Sequence, residues 1–477
     1  MSFAQIPANW KVPGQYTEFD VLSGQAGLAS SADMVLIIAP MSSAGSLSAG
    51  DVEAITSAGA SKSFVGKKSL AHCMACSALD ANPYASLYVV GFADYGSKAV
   101  KTITATGTTT SAGDVVLSVG DRKVVVNMSS GSTPTQTATQ LVTGINADDR
   151  IPFTATSVLG VVTLTAVNGG TIHNNVKITI GDLPAGLTLA TANTTTGTGV
   201  PSVDTTLTGI EQQGFTLLCH PWSDATTMLA FAVHLELVSS ALVQRGRGQV
   251  TALGDGDVTA APADISSAKA VATSVNNWRS TVAYIRGCKA PNYEVAAAFA
   301  ATMAMQPRPN DSLNGYALNG ISIPAVADRL LETEKQLLLN SASGGVVTPL
   351  AVEGNSVVIV KAATTYYKNA DDSVTKKLIA WQTYRALDYI RLNVNTMEKR
   401  YRNKKNSAET RESLRTDVYG VLKLMEKPEY EIVQNVDANR AGITVTVDPD
   451  NGERCNVEIP ADVIPGLDII ANKIKLI

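Results

Sequence analysis

The chain has 477 residues, with 38 Lys and Arg against 42 Asp and Glu, so its formal net charge at pH 7 is -4. This length predicts roughly three domains and excludes a single small module. The weak negative charge excludes a general electrostatic attraction to nucleic acid or to acidic membranes. Hydrophobic residues make up 45% of the chain and charged residues only 17%, which favours burial of part of the surface against other subunits.

The five cysteines are few and scattered, which indicates free thiols in a reducing compartment rather than a disulfide framework. No stretch approaches the roughly 18 consecutive apolar residues of a membrane span, so no stable membrane insertion is expected. The opening residues include Pro7 and Pro13 where a secretory signal would have an apolar segment, so no such signal is predicted.

Residues 1–28 predict an extended N-terminal arm rather than a packed domain. They contain prolines and glycines, and their alternating apolar pattern is confined to residues 16–22. An arm of this kind needs a partner for its apolar side chains. The candidate inter-subunit contacts in the arm are Tyr16, Glu18, Phe19 and Val21.

Residues 29–98 and 204–343 predict one α/β domain with a mainly parallel sheet, because short apolar runs alternate with helical patterns. The predicted helical stretches are residues 51–80, 224–243 and 264–277. The predicted strands are residues 34–39, 86–91, 215–219, 249–253 and 280–285.

Residues 99–203 interrupt this pattern and predict an inserted all-β domain. They are rich in threonine, and Gly-Asp turns precede apolar runs such as residues 123–127. The low-complexity segment 191–203 can bury little and predicts a linker at the end of the insertion. Because the α/β pattern resumes afterwards, a peripheral position and tolerance to removal are expected.

Residues 344–466 predict a C-terminal α/β domain. It contains a strand at residues 356–363 and a helix of about 30 residues, capped by Asp371 or Asp372, whose apolar stripe continues to Tyr401. Residues 443–459 predict a β-hairpin. Residues 467–477 are strongly apolar and predict a second arm, with Leu467, Ile469, Ile474 and Leu476 as candidate inter-subunit contacts.

Motifs for catalysis, cofactors and metals are weak, and no such site is predicted. The segment 59–69 has the wrong glycine spacing for a nucleotide loop. His72, Cys73 and Cys76 lack the second paired set of a structural zinc site. Cys219 and His220 are neighbours on a predicted strand, so their side chains point to opposite faces.

Residues 398–427 hold nine Lys or Arg and five Asp or Glu. This excess predicts either a solvated charged surface or a face that contacts another subunit. The candidate residues of that face are Arg400, Arg402, Lys404 and Lys405.

Three segments resemble contractile tail sheath proteins, especially the Mu-like branch. The first is Val12–Asp20, with its Pro-Gly-x-Tyr-x-Glu string. The second runs from Gly354 through Thr364-Thr365-Tyr366 to Ile390, and the third is Val463–Ile474. The family commonly has Arg-Gly before the Thr-Thr-Tyr turn, whereas this chain has Lys361-Ala-Ala363.

The resemblance implies a structural subunit that polymerises as stacked hexameric rings around a tail tube and contracts to drive the tube through a target envelope. It implies that each terminal arm pairs with a neighbouring subunit's sheet. It also implies contacts with the tube, the baseplate and the tail terminator, with no direct nucleic acid contact, in a virion tail assembled in the host bacterial cytoplasm. A phage, a defective prophage and an injection device all remain open as the source.

Two other classes of protein are weighed against this interpretation. One is an α/β enzyme with a β insertion, which the missing catalytic motifs disfavour. The other is a shell or tube protein that never contracts. Two apolar arms, a low charge density and no catalytic constellation are typical of an assembly component, which agrees with the resemblance.

Overall fold

The computed structural model of the chain describes residue 28, residues 33–254 and residues 265–475. In these residues the strands are, in chain order, β1 (Met34–Pro40), β2 (Val52–Ala54), β3 (Ser86–Phe92), β4 (Lys98–Thr106), β5 (Gly113–Val119), β6 (Arg122–Met128), β7 (Phe153–Val158), β8 (Val161–Gly169), β9 (Ile178–Ile180), β10 (Thr188–Thr195), β11 (Leu217–Cys219), β12 (Gly248–Gly254), β13 (Ser280–Ile285), β14 (Ala317–Leu318), β15 (Thr348–Glu353), β16 (Ser356–Ile359), β17 (Thr444–Val447) and β18 (Cys455–Glu458).

The α-helices of the same residues follow their own numbering. They are α1 (Ala58–Val65), α2 (Leu70–Ala81), α3 (Pro134–Ala147), α4 (Asp204–Gly209), α5 (Ala225–Ser239), α6 (Ile265–Val275), α7 (Asn292–Met303), α8 (Glu332–Leu339), α9 (Trp381–Glu398) and α10 (Ala408–Glu426).

The main sheet has the order β14-β16-β15-β13-β12-β11-β1-β3-β2. Its strands from β3 to β15 pair in parallel, and β2, β16 and β14 add antiparallel edges. The predicted mainly parallel sheet is therefore confirmed. Strands β15 and β16, which the sequence placed in the C-terminal domain, instead complete this sheet.

Helices cover both faces of the main sheet, as expected for parallel strands that are apolar throughout. Val35 and Ile37 on β1 belong to the first hydrophobic core, which also contains residues of α2 and α7. Leu36 and Ile38 point to the opposite face and pack with residues of α5. Alternating side chains of one strand thus enter two separate cores.

The predicted helix at residues 51–80 is wrong in part. Residues 52–54 form the antiparallel edge strand β2, and the remainder divides into α1 and α2. The break contains Gly66 with φ +79° and Lys68 with φ +63°, and Ser69 then caps α2 by accepting from His72 N. A left-handed conformation at two nearby positions ends a helix.

The insertion has two antiparallel sheets, β10-β4-β8-β7 and β6-β5-β9. The all-β prediction is wrong, because it also contains the 14-residue helix α3. Thr133 and Gln136 form a capping box at its start, with Pro134 at the first turn. The predicted linker is also wrong in part, because Thr188–Thr195 forms an edge strand paired with β4.

The insertion is joined to the main body through a seam of buried contacts. Lys68, 5% exposed, donates its Nζ to the carbonyls of Ile145 at 2.8 Å and Asp148 at 2.7 Å. Leu70 N, at the start of α2, donates to Asn168 Oδ1 at 2.8 Å. Apolar residues of the insertion also belong to the first core. The insertion is therefore not a separately packed unit.

The predicted 30-residue helix is shorter in the structure. Helix α9 begins at Trp381, and Asp371 and Asp372 do not cap it; Asp372 has φ +63°. The segment before α9 is instead held by a backbone hydrogen bond, in which Thr364 N donates to Ile379 O at 2.8 Å. This long-range contact holds the last residues before α9 in an extended path.

Helix α9 passes through two hydrophobic cores. Trp381 and Tyr384 are fully or nearly fully buried in the first core. Residues from Ala386 to Met397 lie in the second core, together with α10 and residues beside the β17–β18 hairpin. The hairpin predicted at residues 443–459 is confirmed, with Val447 opposite Cys455.

Candidate functional site

The C-terminal tail exposes large apolar side chains. Leu467 is 75% exposed, Ile469 is 83% exposed and Ile474 is 96% exposed, and none of them lies in a strand. Leu476 falls outside the described residues. Three of the predicted contacts, Leu467, Ile469 and Ile474, are thus exposed on backbone that lies outside any strand, and strand addition to a neighbour remains a prediction.

Asp468 fixes the start of the tail to the main body. Its Oδ2 lies 2.6 Å from Lys361 Nζ, and its Oδ1 accepts from Asn314 Nδ2 at 2.9 Å. Lys361 belongs to the Lys361-Ala-Ala363 segment that departs from the common Arg-Gly pattern, and in this chain it contacts the start of the tail. The attachment is therefore a local polar contact beside exposed leucine and isoleucine side chains.

Tyr16, Glu18, Phe19 and Val21, the predicted contacts of the N-terminal arm, lie outside the described residues. Leu28 is described, and it packs against the second core. Leu28, the last residue of the predicted arm, thus contacts the C-terminal unit. The role of the four arm residues in subunit contacts remains a prediction.

A groove runs along α9 between the main body and the C-terminal unit. One end is a cavity of about 280 Å³ whose walls include Thr216 and Arg385. The other end is a cavity of about 650 Å³ beside Cys455 and Val457 on β18. Gln244, Arg245, Leu392 and Asn395 line both cavities, so the two form one continuous surface that reaches the hairpin edge.

The β17–β18 hairpin forms a two-stranded sheet by itself among the described residues. Each strand consequently has one edge without a strand neighbour in that part of the chain. Backbone N–H and C=O groups at such edges can pair with a further strand. This is the arrangement that strand addition by an arm requires.

The predicted basic face is narrower than the sequence suggested. Arg400 lies 3.6 Å from Asp417, and the lysine of α10 at position 423 pairs with Asp437 at 3.1 Å. Arg402, Lys404 and Lys405 are exposed, and no ion pair within 4.0 Å is found for them in the described part of the chain. The unpaired positive charge is concentrated in the loop between α9 and α10.

Sequence reasoning missed an ion-pair cluster that attaches α9 to the main sheet. Asp388 accepts from both terminal nitrogens of Arg279, at 2.6 and 2.8 Å, and from Arg391 at 2.8 Å. Arg385 pairs with Asp33, whose pKa is raised by burial although the arginine opposes that shift. The part of this cluster that lies on α9 could have been recognised in the sequence from the three-residue spacing of Arg385, Asp388 and Arg391, which places all three on neighbouring turns.

The thiols singled out in the sequence are buried. Burial raises the pKa of Cys76 to about 11 and that of Cys288 to about 11, and it also raises the pKa of Cys219. Protonated thiols are weak nucleophiles at neutral pH. His220 is stacked on Phe231, with ring centroids 4.1 Å apart.

In residues 28, 33–254 and 265–475, no group of three or more His, Cys, Asp or Glu side chains is placed to hold a metal ion. In the same ranges no helix combines the length and the apolar character needed to cross a membrane.

The fold as a whole is similar to that of a solved tail sheath protein. The sheath tail protein of Listeria innocua aligns with a TM-score of 0.50 at 13% identity, covering 92% of this chain and 93% of that chain. The sheath tail protein of Desulfitobacterium hafniense aligns with a TM-score of 0.49 at 14% identity, over 91% and 94% of the two chains.

In sequence, the chain is similar to the Mu-like prophage FluMu tail sheath protein of Haemophilus influenzae. The two are 25% identical over 408 residues, which cover 83% of this chain and 81% of that relative. No family model matches the chain. The relative confirms the resemblance to Mu-like tail sheath proteins that the sequence motifs predicted.

Proposed function

We propose that the chain is the structural subunit of a contractile tail sheath, which polymerises as stacked hexameric rings around a tail tube and contracts to drive the tube through a target envelope. The observation that carries the proposal is the similarity to a Mu-like tail sheath protein over 83% of the chain. The exposed apolar tail and the open outer edges of the β17–β18 hairpin support it, because both are suited to contacts between subunits.

The terminal arms are the proposed joints between subunits. Residues 16–22 and 467–476 each add a strand to the sheet of a neighbouring subunit, and the open edges of β17 and β18 are suitable acceptors. A five-residue strand supplies about four or five hydrogen bonds, each contributing roughly 1 kcal/mol net before the cost of ordering the arm. Two arms in a closed ring hold together through high effective concentration.

The remaining partners follow from the same proposal. The subunit contacts the tail tube, the baseplate and the tail terminator, acts without catalysis, a cofactor or direct nucleic acid contact, and resides in a virion tail assembled in the host bacterial cytoplasm. The loop with Arg402, Lys404 and Lys405 supports a role for the basic face in subunit contacts, because its charges lack ionic partners among the described residues.

Electron microscopy of the purified, concentrated chain tests the proposal. Tubes with a hollow lumen, built from stacked six-fold rings, are the expected result. A second comparison of tubes before and after an acid or urea pulse checks contraction, which shortens and widens them. A chain that stays monomeric at every concentration, or closed shells without a lumen axis, contradicts the proposal.

A further inference from the structure

Helix α5 presents an apolar stripe to solvent. Leu229 is 40% exposed, Val233 is 66% exposed and Leu237 is 54% exposed. Their four-residue spacing places them in one row along the helix, and the opposite side of α5 contributes Met228, Phe231 and Leu235 to the cores. A helix that is apolar on both sides is typically covered on both sides.

The segment 201–244, which contains this stripe, has only acidic charged side chains, while Arg247 and Arg391 contact its backbone at Glu211 and Ser239. Residues 201–244 contain four carboxylates and no Lys or Arg. The carboxylates are Asp204, Glu211, Asp224 and Glu236, and none of them has a Lys or Arg nitrogen within 4.0 Å in the part of the chain that the structure describes. We call residues 201–244 with this stripe the acidic α5 face.

The chain also has a surface of opposite charge whose Lys and Arg side chains have no ion pair among the described residues. Lys399, Arg402, Lys404 and Lys405 lie at the C-terminal end of α9 and in the following loop, and all four are exposed. Leu392, one of the exposed apolar residues of α9, is 46% exposed and lies about two turns before Lys399. We call residues 392–405 the basic α9 face.

Within one chain the basic α9 face lies at one end of the acidic α5 face and does not extend along its stripe. Val243 and Lys399 line the same cavity, so the basic α9 face lies beside the C-terminal end of α5. Asp224 caps the other end of α5, and a helix of 15 residues separates the two ends by about 22 Å. The apolar stripe runs along that length and is left uncovered.

We propose that the acidic α5 face of one copy of this chain binds the basic α9 face of a second copy. This proposal rests on the self-assembly proposed above and identifies a side-chain contact distinct from the backbone joints of the arms. The charge complementarity selects a second copy as the occupant, because the same chain carries both the unpaired acidic surface and the unpaired basic surface.

The chemistry of the two faces fits this pairing. The aliphatic stems of lysine and arginine cover apolar surface while their charged ends reach neighbouring carboxylates. Leu392 adds apolar area to the centre of the basic face. Because the two faces differ, the contact is head-to-tail, and repeated head-to-tail contacts generate rings or helical polymers.

A charge-swap pair tests the contact. One variant carries Glu211→Lys and Glu236→Lys, and the other carries Lys404→Glu and Lys405→Glu. In each variant alone the substituted positions meet charges of their own sign, so we expect it to need at least about tenfold more protein for half-maximal assembly than the unmodified chain. Mixed in equal amounts and alternating along the polymer, the two variants place opposite charges at these positions in every contact, and assembly returns.

The readouts are sedimentation and electron microscopy, with circular dichroism to verify that each variant is folded. Assembly of each single variant at the unmodified concentration overturns the proposal. If both variants lose assembly and their mixture does not recover it, the proposal is also overturned, because the two surfaces then do not contact each other. Weakening of the unmodified contact by added salt is expected as well.

A second pair of variants tests the apolar stripe. Val233→Lys places a positive charge at the centre of the stripe, opposite a basic face, and Val158→Lys makes the same change at a 72% exposed valine at the end of β7 in the insertion. Assembly should weaken at least tenfold for the first variant and stay unchanged for the second. Equal behaviour of the two variants contradicts the proposal.

The two proposals fail in distinguishable ways. If the unmodified chain forms tubes that the α5 variants do not disturb, this contact is wrong and the sheath function stands. If the unmodified chain forms no tubes, the sheath function is wrong. The contact is then decided by whether the mixed charge-swap variants form dimers in sedimentation that neither forms alone.

Discussion

The insertion and the C-terminal tail differ in how they are attached to the main body. At the insertion seam, buried Lys68 donates to two carbonyls and Glu294, 1% exposed, lies 3.5 Å from Arg122. The tail is held at Asp468 and leaves Ile469 and Ile474 exposed. A seam of buried polar contacts makes a segment part of the fold, whereas an exposed apolar segment requires a partner.

Replacing residues 101–201 with a short Gly/Ser linker should give the largest effect, which is loss of the folded state. The sequence alone predicted tolerance, but the first core is continuous between insertion and body. Removal would expose the buried helix α2 and leave Glu294 without Arg122. Soluble expression and circular dichroism check this; a folded, soluble product would show that the body is independent of its insertion.

Glu294 should make the seam sensitive to pH. Burial raises the pKa of this carboxyl from 4.5 to about 8, with Asp121 raising it further and Arg122 and Arg150 opposing the shift. The folded protein therefore retains a proton that the unfolded chain releases. Between pH 4.5 and 8 this group lowers the free energy of unfolding as pH rises, by up to about 1.4 kcal/mol per pH unit.

In the variant Glu294→Gln, the free energy of unfolding should not show this decrease as pH rises. Near pH 8 the variant should be more stable than the unmodified chain, by a few kcal/mol at most. Urea titrations across that pH range measure it. Glu332→Gln is the control, since the Glu332 side chain is 87% exposed and its loss should leave the pH profile unchanged. Parallel profiles for the unmodified chain and Glu294→Gln would refute the buried proton.

Lys68→Met should lower the free energy of unfolding by about 3 kcal/mol, because the carbonyls of Ile145 and Asp148 would remain buried without their donor. Lys67→Met changes an exposed neighbour of the same type and should stay within about 0.5 kcal/mol. Urea titration of both variants measures the difference. Equal midpoints would mean that the seam does not depend on these bonds.

Deleting residues 467–477 should have the smallest effect on stability, less than about 1 kcal/mol, because the tail's described attachment is a partly exposed ion pair. Assembly should be lost, since the proposed joint is removed. Thermal unfolding and sedimentation separate the two effects. Asp468→Asn removes the ion pair alone and should retain assembly; full-length tubes from the deletion variant would exclude the tail as a joint.

Much of the main sheet was predictable from local sequence. The apolar runs at residues 34–39 and 280–285 identify buried parallel strands, because both of their faces are covered. The turn at Asp448–Gly452 identifies the hairpin, since its residues favour tight turns between alternating strands. The termini were predicted to be arms because residues 1–28 contain prolines, glycines and only a short alternating pattern, and because residues 467–477 are strongly apolar; their pairing with a neighbouring subunit remains a prediction.

Other features depend on contacts between residues far apart in the chain. Helix α3 has a local signal, the capping box of Thr133 and Gln136, but threonine-rich composition favoured strands. The start of α9 is set by the contact of Thr364 with Ile379 rather than by an acidic cap. The cluster of Arg279 and Asp388 joins residues 109 positions apart, which no local pattern reveals.

Helix α9 also sets the mechanics of the subunit. Its 18 residues connect the first core to the second without an intervening loop, and Asp388 ties its middle to Arg279 beside the main sheet. A force applied at the β17–β18 hairpin is therefore carried into the sheet by a stiff rod. In the proposed assembly we therefore expect deformation at the boundaries between subunits rather than within α9.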